Sequence, residues 1–64
     1  MVKNRVKERR SELGMTQEEL SEKSGVSRTI ISKIESNQKI DVKLSTLVAL
    51  ANALKQSVES IFLL

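Results

Sequence analysis

Apolar residues recur along this chain at helical spacing, and polar punctuation divides it into five short segments. Val2, Val6, Arg10 and Leu13 share one stripe, which predicts a first helix from Val2 or Asn4 to Leu13. Gly14 follows, suited to the left-handed position after a helix end, and Met15 turns back toward the core. Thr16-Gln17-Glu18-Glu19 has the spacing of a capping box and predicts a second helix, ending at Lys23 or Ser24 before Gly25. Leu20 and the small Ser21 face inward. Ser27 is a good N-cap for a third helix, whose apolar side is Ile30, Ile31 and Ile34, with Val26 ahead of it. That helix ends near Ser36, where Asn37 can take a left-handed conformation. Residues 36–43 read as a polar loop anchored by Ile40 or Val42. From Leu44 to Leu54, a wide apolar face of Leu44, Leu47, Val48, Leu50, Ala51 and Leu54 predicts the most buried helix. Ser57 caps a short fifth helix carrying Val58, Ile61 and Phe62. The fold class is all-α: one compact five-helix domain over residues 1–64.

Composition narrows the chemistry. The chain has no Cys, His, Trp, Tyr or Pro, which excludes disulfides, thiol chemistry and Cys or His zinc sites, and removes the usual general base. Its carboxylates occupy cap and surface positions, with no phosphate-cradling glycine loop, so no catalytic residues, metal or cofactor are expected. No apolar run approaches the roughly 20 residues of a membrane span. Nine of the eleven basic residues and six of the eight acidic ones lie in residues 1–39, so the whole +3 charge sits there. A basic surface attracts polyanions, although a solvated helix face is an equally good account of a charge this mild.

The second and third helices are joined by a turn of three or four residues containing Gly25, the layout of a helix-turn-helix over about residues 16–36. A plain helical hairpin has the same layout, and the outward face of the third helix separates the two. At about 100° per residue, Arg28, Thr29, Ser32 and Lys33 cluster opposite Ile30, Ile31 and Ile34. That face carries no acid. Arg can bond guanine O6 and N7, Thr can offer its methyl to thymine, and a short Ser permits close approach. Gln17, at the first position of the second helix, can bond a phosphate or adenine, or be a plain polar residue. Arg10 and Glu35 stand at the inward edges of their stripes. An unpaired buried charge is costly, so they either pair with each other or snorkel to water.

The segments RVKERRSELGMTQEELSEKSGVSRTIISKIESNQK and LSTLVALANALKQSVESIF stand at the spacing of a known family. Together they resemble the Xre/lambda-repressor-like (Cro/C1-type) helix-turn-helix regulators of bacteria and phages, from Arg5 to Phe62. The resemblance implies a cytoplasmic, nucleoid-associated repressor that places its third helix in the major groove and binds double-stranded DNA as a homodimer. It implies base reading by Gln17, Arg28, Thr29, Ser32 and Lys33. It further implies phosphate contacts from Arg10, Thr16, Ser27, Asn37, Lys39 and Lys43, and a structural Arg10–Glu35 ion pair. Departures are Asn37 where many relatives carry Gly, Ser21 for Ala, no Pro near Val42, and Lys55 at the end of the fourth helix. The apolar end points to a dimer contact through Val58, Phe62, Leu63 and Leu64, against a frayed terminus or a chain cut before a second domain. A protein-interaction module, such as an antitoxin or anti-regulator on the same fold, is the alternative function. No small-molecule ligand and no membrane partner are expected.

Overall fold

The computed structural model describes residues 4–38 and 41–62. Five helices follow in order: α1 Val6–Glu12, α2 Gln17–Ser24, α3 Arg28–Glu35, α4 Leu44–Ala53 and α5 Val58–Phe62. Side chains cap the starts of α2, α3 and α5. Thr16 accepts from the Glu19 amide, and Glu19 accepts in return from the Thr16 amide, so the capping box is complete. The Thr16 amide and, after it, the Thr16 side chain hold the Glu19 carboxyl below its usual range. Ser27 and Ser57 accept from the amides of Ile30 and Ser60. Helix α1 is shorter than expected. It is capped at Arg5 and ends before Leu13, while the Asn4 side chain accepts from the Val6 amide.

Three helix ends share one geometry. Gly14, Asn37 and Lys55 all have φ near +60°, at 68°, 59° and 58°. In each case that residue's N–H bonds the carbonyl three back, and the next N–H bonds the carbonyl five back. This is the Schellman arrangement, which satisfies carbonyls that a helix end otherwise leaves open. Asn tolerates the left-handed region; Lys has no such excuse and carries steric strain. Helix α2 ends differently, with Gly25 at φ 75° and its N–H on Ser21 O.

The core is Val6, Leu20, Ile31, Ile34, Leu50, Leu54, Ile61 and Phe62, each at most 2% exposed, with Ala51, Met15 and Val26 beside them. Leu13, Ile30, Val42, Leu47 and Val58 pack against it half-buried. Val42 is thus an anchor of the 36–43 loop; Ile40, the other one expected, lies outside the described residues. The wide apolar face expected of α4 is corrected. Leu44 is 67% exposed and Val48 39%. The arc of Leu47, Leu50, Ala51 and Leu54 meets α2 and α5. Val48 stands roughly 110° from the middle of that arc, and Leu44 lies at its edge in the first turn, beyond its neighbours' reach.

Candidate nucleic-acid interface

The turn between α2 and α3 is braced by two serines. Ser21 Oγ donates to Val26 O at 2.7 Å, so the residue at the inward crossing point also fastens the turn. Ser24 Oγ donates to Leu20 O and accepts from the Val26 amide. With its backbone satisfied, a turn of Gly25, Val26 and Ser27 presents α3 at a fixed angle to α2.

Arg28, Thr29 and Ser32 are exposed along α3, with Lys33 half-buried behind them. These four line one open concavity together with Gln17 from α2 and Gln38 from the loop after α3. All five residues expected to read bases therefore share one surface. Gln38 was missed by sequence reasoning. Its signal lay in Asn37: a left-handed residue reverses the chain, and Gln38 N then bonds Lys33 O at 3.0 Å. No carboxylate lines the concavity.

Behind it, Arg10 and Glu35 resolve the alternative left open by their spacing. Arg10 Nε and Nη2 donate to the two Glu35 oxygens at 2.8 and 3.0 Å, and Nη1 donates to Met15 O at 2.8 Å. The side chains are 14% and 5% exposed. Burial alone raises the Glu35 carboxyl, but bonds from Arg10 and Gln17, with the charges of Arg10 and Lys7, outweigh it and hold it below the usual range. The Glu35 bond raises Arg10 in turn. All three Arg10 nitrogens are engaged inside the protein. That geometry fits the ion-pair role, and leaves the second N–H of Nη1 and of Nη2 uncommitted.

A family model described as helix-turn-helix, of the Cro/C1 type, matches residues 6–61. The chain belongs to that family. A chain of the solved SinR protein/SinI protein complex superposes with a TM-score of 0.82 at 34% identity, over 92% of this chain and 57% of that one. This Cro/C1-type chain thus spans little more than half the length of that neighbour. Among curated proteins none matches it significantly. Family and fold together show a helix-turn-helix domain of the Cro/C1 type.

The remaining expected residues fall around the concavity or away from it. Thr16 and Ser27 are exposed, and each hydroxyl accepts a cap bond. Asn37 is exposed at the end of α3 and accepts from Asn4 Nδ2 at 3.4 Å. Lys43 is exposed at the start of α4, whose first turn has no side-chain cap. Lys39, Leu63 and Leu64 lie outside the described residues. Phe62, expected at a dimer contact, is 1% exposed, with its ring in the protomer core. Val58 is half-buried against that core. Among the described residues, no helix is long and apolar enough to cross a membrane, and no group of His, Cys, Asp or Glu could hold a metal ion.

Proposed function

We propose that this chain is a sequence-specific, double-stranded DNA-binding transcription regulator. It acts as a repressor, reading the major groove with α3 as a homodimer on an inverted repeat. The observation that carries this reading is the acid-free concavity of Gln17, Arg28, Thr29, Ser32, Lys33 and Gln38. Its donors suit base edges, and its open shape suits a duplex rather than an enclosed small molecule. Arg28 at the start of α3 is the guanine reader, since the first residues of a recognition helix reach deepest. Thr16, Ser27, Asn37, Lys39 and Lys43 supply the phosphate contacts.

Selection from a random duplex library at near-physiological salt tests the proposal. An enriched inverted repeat, with half-site centres about one helical turn apart, is the expected result. Failure of the folded chain to enrich any sequence would refute it. A second reading draws on the exposed Leu44 and Val48 of α4: the chain holds a partner protein through that face, as an antitoxin or anti-regulator does. Folded chain that ignores DNA even at low salt favours this reading.

A further inference from the structure

Gln17 and Glu35 sit on different helices, yet Gln17 Nε2 donates to Glu35 Oε1 at 3.1 Å. An ionised carboxylate only accepts hydrogen bonds, so the amide must turn its nitrogen, not its oxygen, toward Glu35. Glu35 is itself immobilised. Arg10 holds both of its oxygens, and Met15 O holds Arg10. The result is a relay of fixed groups from the α1–α2 turn to the concavity wall. At its outer end, Gln17 has one N–H committed and retains one N–H and its carbonyl oxygen. That donor–acceptor pair matches adenine, which offers N7 and an amino group in the major groove. It does not match guanine, whose N7 and O6 both accept.

We propose that Glu35 is a positioning residue for base recognition: by fixing the orientation of the Gln17 amide, it makes Gln17 select adenine at one position of the bound DNA. This rests on the reading of α3 as the groove-facing helix. Once the partner at position 35 no longer dictates orientation, the amide turns over freely, and its two N–H groups then serve guanine as well as adenine. A carboxamide at position 35 has that effect, because it offers Gln17 a donor as readily as an acceptor.

The test is duplex selection with the wild-type chain, Glu35→Gln, Gln17→Ala and the double variant, followed by affinities for every single-base change in the enriched site. The wild type should prefer adenine at one position by about fivefold or more. Each single variant should flatten that position by a similar factor, the double variant no further, and the other positions should keep their preferences. A merely structural Glu35 would weaken all sequences alike; that outcome, or additive losses in the double variant, overturns the proposal. Enrichment without any Gln17-dependent adenine position overturns it too. If the wild type enriches nothing, the DNA-reading function falls and takes this inference with it. An adenine preference that survives Glu35→Gln sinks the positioning role alone. Should Glu35→Gln not fold, Arg10→Met with Glu35→Leu removes the anchor without stranding a buried charge, and must give the same flattening.

Discussion

Replacing Arg10 with Met alone should be among the most damaging single changes outside the apolar core. The substitution removes two hydrogen bonds to Glu35 and one to Met15 O, and leaves a carboxylate that is 5% exposed with no cationic partner in contact. Breaking a buried pair from one side costs about 3–5 kcal/mol; with Arg10 still 14% exposed, about 2–4 is the fitting range. A 64-residue domain is stable by only about 3–10 kcal/mol, so the variant stands near the edge of folding. Its melting temperature, followed by circular dichroism at pH 7, should fall by roughly 10–30 °C. Adding Glu35→Leu should recover most of the loss, since an apolar pair of similar volume leaves no stranded charge. Acid gives an independent reading. Glu35 titrates below its unfolded value, so the pair stabilises fully above about pH 4.3 and the contribution is lost as pH falls through the folded value. The double variant should lack that component of the acid loss. A single Arg10→Met variant melting within about 2 °C of wild type would refute the account, since 1 kcal/mol alone shifts a domain this size by about 4–8 °C.

Lys55→Gly should raise stability by about 0.5–1 kcal/mol, the relief of left-handed strain exceeding the added freedom of the unfolded chain; a lower urea midpoint would contradict this. Ser21→Ala should cost about 1 kcal/mol by freeing Val26 O, and an unchanged midpoint would mean that the turn is not braced by this hydroxyl. Arg28→Ala should remove about 1–3 kcal/mol of binding and relax one base position; a uniform loss across sequences would end its role as a base reader. Lys43→Ala should do the reverse, weakening all sequences alike and lowering the salt slope by about one, so a base-specific loss would reassign it.

What was legible in the sequence was what is local. Thr16 and Glu19 are three positions apart, Ser27 directly precedes its helix, and Asn37 is a residue type that accepts φ near 59°. Each announces itself through its own chemistry. The Arg10–Glu35 pair was legible only as two charges in want of partners, because spacing along the chain does not say whether two stripes meet. Leu44 and Val48 misled for the related reason that periodicity reports an apolar arc but not how much of it neighbours cover. Phe62 was expected both at a core position and at a dimer contact, and its spacing alone does not give its 1% exposure. The Gln17–Glu35 bond, and the Arg9 Nε bond to Leu54 O at 2.9 Å across 45 residues, left no local trace at all.

One backbone bond bears on how the domain assembles. Arg5 N donates to Ile61 O at 2.7 Å, so the residue that caps α1 is fastened to the last turn of α5. Closing a loop of that length is slow and entropically unfavourable, and a five-residue helix cannot nucleate by itself. The joint is therefore expected to form after α2 and α3, which are neighbours in sequence, have met. The Arg5 amide is expected to act as a sentinel in hydrogen exchange, losing protection whenever α5 lifts away. Exchange at Arg5 as slow as at Leu20 and Ile31 would mean that α5 opens only with the whole domain.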